Sequence, residues 1–344
     1  MKLLRTLLNI IVLLSLTITL VISCNKGNVS NKTERAIRKF NDDTERVLQL
    51  PQEIERIAVS GRIAQGIVFA IAPDNLVAVA EDWSAYEKTL LDKKYTSLPT
   101  IGRIFGSTGL LNKEALLSLN PDIIIDIGES KENIQADFDT FEKETGVPIV
   151  HFTLNKENLS EVYGKLGVLL SKQNEAETII DFINKVDEKR KEILSHNEKK
   201  NALFITGTRA NRVLQKGSYF SSSMDLCTNN IAEFPTLDKN KYAVTLSKEE
   251  LIKLNADVII FSSVVDKDEL LKNDAITAMK AFKDGNYYFF PHIPYENMGF
   301  APGPGEIFGT IWLLHTLYSN GTEFDYESLI NEFYKIFFHK NQNM

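Results

Sequence analysis

From residue 52 onward, short β-branched runs alternate with stretches whose apolar residues recur three and four apart, the pattern of strands alternating with helices. The runs that predict strands are Ile57 to Val59, Leu76 to Ala80, Ile123 to Ile127 and Ile149 to Thr153, then Ala202 to Thr206, Val258 to Ser262 and Tyr287 to Phe290. No two of them are joined by a two-residue hairpin signal, so mostly parallel sheets are expected. Between the two sets lies a long helical stretch. Leu159, Val162, Tyr163, Leu166 and Leu170 keep one period, Asn174 is placed to cap a fresh start, and Ile179, Ile180, Ile183, Val186 and Ile193 carry the pattern to about Leu194. The second piece, at 1.5 Å per residue, spans about 30 Å, the diameter of a small domain.

One helix-turn-strand unit occurs twice. Leu111 to Asp126 reads LNKEALLSLNPDIIID and Leu246 to Phe261 reads LSKEELIKLNADVIIF, identical at nine of sixteen positions without a gap. In each copy the Leu and Ile positions fall on one helical face, Asn and Asp form the turn, and an aliphatic strand follows. The copies share a glutamate, Glu114 and Glu249. Two similar α/β lobes account for this, over residues 52–157 and 196–344, with residues 158–195 as the helical connector between them.

The amino terminus follows other rules. Lys2 and Arg5 precede an aliphatic run from Leu7 to Val21, shorter than the ~20 residues a membrane span needs and suited to the apolar core of a signal peptide. Ser23 and Cys24 follow, a small residue before a cysteine, which resembles the lipobox of bacterial lipoproteins. Residues 1–24 are therefore expected to be a signal peptide, with Cys24 as the lipidated first residue of the mature chain. Residues 25–51 are expected to form a polar tether. With Cys24 acylated no disulfide remains, and Cys227 is expected to be a small buried apolar residue.

With 344 residues, 43% of them hydrophobic, the chain can bury the cores of two domains. A net charge of −7 and the lack of basic runs interleaved with aromatics exclude nucleic acid as a partner. The five histidines form no H-E-x-x-H, and neither a G-x-S-x-G elbow nor a C-x-x-C pair occurs. Gly106 to Lys113 has the wrong spacing to cradle phosphates, so an ATPase would have to be a separate subunit.

The pieces RIAVSGR (56–62), IGR (101–103), LNKEALLSLNPDIII, the stretch Leu226 to Ile231 and LSKEELIKLNADVII, in that order and spacing, resemble the iron-siderophore, haem and vitamin B12 class of periplasmic binding proteins. The likeness covers about residues 52 to 335. It implies an α/β fold of two lobes with mostly parallel central sheets joined by a single long interdomain helix. It also implies a monomer that is not an enzyme and needs no cofactor of its own. In that family one acidic residue per lobe docks with arginines of the two permease subunits, and these correspond here to Glu114 and Glu249.

The resemblance places the ligand in the cleft between lobes, near the carboxyl ends of the strands. The candidates are Ser60, Arg62, Trp83, Arg103 and Glu129 from the first lobe. From the second they are Thr208, Arg209, Tyr219, Ser262, His292 and Tyr295. The arginines suit carboxylates, catecholates or propionates, and Trp83, Tyr219 and Tyr295 offer flat faces, so a large anionic or aromatic-bearing ligand is expected. The resulting expectation is a lipid-anchored receptor of an ABC importer, at the periplasm or the outer face of the cytoplasmic membrane, that takes up an iron complex or a corrinoid. The run PHIPYENMGFAPGPGEIFGTIWLLHTLY distantly resembles molybdate- and tungstate-binding relatives, which makes an oxyanion receptor the second reading. A divalent-metal receptor and a carboxylate-pair hydrolase are further alternatives.

Overall fold

The computed structural model describes residues 36–105, 111–234, 242–291, 294, 301–319 and 324–340. Cys24 and the signal segment lie outside them. The chain divides into two compact units, Met1–Ile37 and Arg38–Met344, and both halves of the α/β fold lie in the second.

Of residues 25–51, expected as a tether, residues 36–51 are described, and these are folded. Strands β1 (Ile37–Asn41) and β2 (Val47–Pro51) form a two-stranded sheet. Leu48 and Leu50 alternate inward along β2, Leu50 with no exposure at all, which is what period-2 burial on one face requires. The turn between them is built on Asp42, whose carboxylate accepts from the Thr44 amide and hydroxyl at 3.0 and 2.6 Å and from Arg46 at 2.7 Å. Arg46 also reaches the Ile149 carbonyl at 2.5 Å and Glu142 at 3.0 Å, so the turn is clamped to the first lobe.

In the first half, β3 (Ile57–Val59), β4 (Ile123–Gly128) and β5 (Ile149–Thr153) form a parallel sheet in the order β3-β4-β5. The expected strand at Leu76 to Ala80 is reduced to two isolated bridges, Ile57 with Leu76 and Val79 with Thr100. Its amides divide between the two sides, Val77 bonding to Ile57 and Val79 to Pro99, so no ladder runs along either edge. Helices α1 (Arg62–Ile71), α2 (Lys113–Ser118) and α3 (Ile134–Thr145) belong to this half.

The connector is two helices, α4 (Leu159–Leu170) and α5 (Gln173–His196), joined through Ser171 in the left-handed region. Asn174 does not cap the second. It lies within the first turn of α5, whose N-cap, Lys172, makes no side-chain bond. In the second half, β6 (Asn201–Thr206), β10 (Val258–Phe261) and β11 (Tyr287–Phe289) are parallel, with β10 in the middle. The sheet is mixed: β7 (Arg212–Leu214) and β9 (Ala243–Thr245) add antiparallel to the β6 edge, and β8 (Asn229–Asn230) pairs parallel with β6. Helices α6 (Ser222–Cys227) and α7 (Lys248–Lys253) flank it.

The two repeat copies occupy equivalent places. Both α2 and α7 start on a side-chain cap, Asn112 and Ser247, and feed the middle one of three parallel strands, β4 and β10. The shared aspartates do the same work. Asp122 accepts from the amides of Glu55 and Arg56 at 2.9 Å, and Asp257 from Asn201 at 3.0 Å, each tying the start of the neighbouring strand.

Beyond Gly303, whose φ of 116° a side chain would strain, Pro304 opens α8 (Pro304–Tyr318), followed by α9 (Tyr326–Phe338). An amphipathic helix is expected over Glu306 to Leu317, after the Gly- and Pro-rich loop, but α8 is buried on nearly every side, with only His315 exposed and Thr316 half-buried. It packs on α5, α6 and α9, while α9 packs on α1 of the first half. His339 then bonds the Phe69 carbonyl at 3.1 Å and Lys340 that of Thr89 at 2.8 Å. One hydrophobic cluster consequently runs from Leu48 in the first half through α5 to Phe204 and Ile260 in the second and on to Phe338. The halves are joined by this broad seam of α5, α8 and α9, not by one rod.

Candidate functional site

A cleft of about 850 Å³ opens at the carboxyl ends of β3 and β4, where open α/β sheets bind ligands. Its floor is a chain of side chains from three adjacent parallel strands. Ser60, just past β3, donates to Oδ1 of Asp126 on β4. Oδ2 of Asp126 lies 2.6 Å from Nδ1 of His151 on β5, and Nε2 of His151 lies 3.2 Å from the Thr153 hydroxyl. His151 is wholly buried, so Asp126 lines the cleft while it is anchored by the imidazole behind it and by Ser60.

The wall is formed by α1 and the loops around it. Arg62, the first residue of α1, is ion-paired with the buried Glu87 and lies 5.4 Å from the Trp83 ring; its Nη1 is buried without a partner. Arg103 is paired with Glu81, whose amide and carbonyl are in turn held by Gln65 at 3.1 Å each. Glu129 and Lys131 contribute from the loop after β4. The second half closes the cleft with Tyr219 and Phe220. The Tyr219 phenol oxygen is buried without a partner, and burial raises its pKa strongly, with the nearby charges of Glu129, Asp126 and Glu306 adding to the effect.

Of the expected ligand residues, Ser60, Arg62, Arg103, Glu129 and Tyr219 come together in this cleft. Trp83 does not. It is 5% exposed, its indole N–H donates to the Tyr95 carbonyl at 3.1 Å, and its faces are taken by Phe69 and Arg62, so it belongs to the core beside the cleft. Thr208 and Arg209 are exposed on the turn between β6 and β7 and do not line the cleft. Ser262 is 1% exposed, with its amide bonded to the Ile205 carbonyl at 2.8 Å, and does not line it either. His292 and Tyr295 lie outside the described residues. Asp126 was missed, although the repeat carries its signal: the copies part at their last position, where the second has Phe261.

Glu114 and Glu249 are both exposed in the first turns of α2 and α7. Cys227 is fully buried and burial pushes its thiol up to about 12, as expected for an inert apolar residue. A second cavity, of about 350 Å³, is lined by α5 and the start of α8. In it Glu306 accepts from the Ser222 hydroxyl, and burial pushes its carboxyl up to about 8. Among the described residues no group of His, Cys, Asp and Glu could hold a metal ion, and no helix is long and apolar enough to cross a membrane.

Two α/β halves around an open cleft, lined by groups that offer hydrogen bonds and charge, define a solute-binding protein. The chain belongs to the periplasmic binding protein family, whose model matches residues 66–294, and members of that family are extracytoplasmic transport components and not enzymes. Solved structures share the fold at low identity. An ABC transporter solute binding protein from Sulfurospirillum deleyianum is 21% identical with a TM-score of 0.77, covering 89% of this chain and 97% of that one. The molybdate-bound periplasmic protein MolA of Haemophilus influenzae is 16% identical with a TM-score of 0.69, covering 89% and 99%. Helicobacter pylori CeuE with Ni(II) bound is 17% identical with a TM-score of 0.65, covering 89% and 97%. No curated protein matches the sequence.

Proposed function

We propose that this chain is the lipid-anchored receptor of an ABC importer, tethered through Cys24, that captures a metal chelate in the cleft and hands it to a permease dimer with separate ATPase subunits. The observation that carries this reading is the cleft of about 850 Å³, which both halves line and which lies within the ~300–1,000 Å³ range of small-molecule sites. Asp126 and Glu129 face it from the first half and Tyr219 from the second, so a solute between them touches both lobes. A chelate suits such a wall better than a bare ion, which needs several ligands converging on a point. A ferric siderophore, haem or a corrinoid fits this description.

Delivery rests on Glu114 and Glu249. Two exposed carboxylates in the first turns of equivalent helices, one per half, suit a partner that presents the same basic surface twice. The test is a calorimetric screen of the mature protein against ferric siderophores, haem and corrinoids, combined with an uptake assay of the double variant Glu114→Ala, Glu249→Ala. The variant is expected to keep the wild-type Kd and to lose most uptake. A weakened Kd would overturn the docking role, and the absence of binding across the screen would overturn the chelate reading.

A further inference from the structure

We infer that the solute this cleft selects is a positively charged metal chelate that carries outward-facing acceptor oxygens; this rests on the receptor reading and adds the sign of the charge. Among the described residues that line the cleft, Glu81, Asp82, Asp126, Glu129 and Asp137 are opposed by only Arg62, Arg103 and Lys131. Pairing does not remove the excess. Arg62 is neutralised by Glu87 behind it and Asp82 by Lys88 outside it, one partner of each sign, so two negative charges remain when both are included.

Position matters as much as number. Both arginines that invited an anion are already engaged by carboxylates, Arg62 with Glu87 and Arg103 with Glu81. Asp126, held by Ser60 and His151, stays fixed at the floor, and the Tyr219 phenol opposite lies within the field of Asp126 and Glu129. Carboxylates fixed along a low-dielectric wall focus a negative potential into the space they enclose, which concentrates cations and repels anions. Against this background the remaining donors are few and directed. The Nη1 of Arg62 and the phenol of Tyr219, both buried and unpartnered, call for acceptor oxygens on the solute. A cation whose charge sits on a metal or an ammonium group, and whose surface is oxygen-rich, satisfies both demands. A tris-catecholate, a haem dipropionate and an oxyanion satisfy only the second.

A pair of probes matched in chelate core and opposite in charge tests the inference. Ferrioxamine B, a ferric trihydroxamate with a free ammonium group, and its N-succinyl derivative share one chelate core and differ in the sign of net charge. Calorimetry on the mature protein at low and high sodium chloride is expected to show the ammonium form bound roughly tenfold or more tightly at low salt, with the preference shrinking as salt rises. Glu129→Gln is expected to narrow that preference about threefold or more with its circular dichroism unchanged. Equal or tighter binding of the succinylated form, or tight binding of haemin or molybdate, overturns the charge assignment and leaves the receptor reading standing. If neither ferrioxamine binds, aquocobalamin, a cation, is compared with neutral cyanocobalamin, and the preference is expected in the same direction. Failure of all four probes overturns this inference, whereas the chelate reading falls only if the wider screen of siderophores, haem and corrinoids is also empty.

Discussion

Glu306 is buried against Ser222 at the start of α8, and burial holds its carboxyl up at about 8 against a usual 4.5. Above about pH 4.5 the unfolded chain releases this proton while the folded one keeps it. Stability is therefore expected to fall as pH rises towards 8, by at most roughly 1.4 kcal/mol per pH unit. Glu306→Gln keeps an acceptor for the Ser222 hydroxyl and removes the linkage. It is expected to leave Tm almost unchanged at pH 4.5 and raise it by several degrees at pH 8, as read by calorimetry at both values; parallel pH profiles for variant and wild type would refute this. Asp126 shows how far such residues are legible in advance. An acid ending an aliphatic strand, where the second copy of the repeat has Phe261, is visible in the chain, but its partners are not, because Ser60 and His151 lie far from it in sequence.

Helices α4 and α5 meet where Gly167 faces Ala176. A Cβ at Gly167 would come within 2.7 Å of the Ala176 Cβ, so these helices are as close as a glycine allows. Glycine in a helix interior ordinarily costs up to ~1 kcal/mol against alanine, so Gly→Ala should stabilise wherever space permits. Three residues earlier it does: a Cβ at Gly164 would meet only the Ile180 Cδ1, at 4.0 Å. Gly164→Ala is expected to be neutral or stabilising, whereas Gly167→Ala is expected to destabilise by about 1–3 kcal/mol through forced separation. Urea denaturation of the two variants checks this, and the same sign for both would contradict it. The periodicity predicts both helices, and their bounds fall within about two residues of the expected ones. The β1-β2 hairpin was not predicted, because its polar turn, rich in Asp, reads as linker until Asp42 is seen to bind Arg46, although Leu48 and Leu50 already alternate in the chain.

The molecule as a whole is held by a single apolar cluster from Leu48 to Phe338 that passes through both halves. Because α8 and α9 return from the second half to pack on α5 and α1, neither half can lose its core without exposing the other's. Thermal unfolding of the mature protein is expected to be one cooperative calorimetric transition. Phe337→Ala, which removes a fully buried ring packed 6.1 Å from Phe182, should shift that transition down as a unit, by about 3–5 kcal/mol. Two separable transitions in either protein would show the halves to be independent. A seam this broad also limits opening of the cleft to small rearrangements and does not favour a wide hinge swing.

What the chain settled by itself is whatever depends on neighbours a few residues apart. The alternation of strand and helix, the duplicated unit and the helical connector all follow from which face of each element is apolar, and that is written in local spacing. The lobes and the two exposed glutamates followed from the same source. Tertiary structure decided the rest: that Trp83 is core, that Arg62 and Arg103 are already paired, and that carboxylates outnumber bases among the described residues of the cleft where arginines had suggested an anion site. Electrostatics acts through space, and the groups that set it here lie 22 to 66 residues apart along the backbone. Only folding brings them within a few ångströms, and only then does the sign of the site exist.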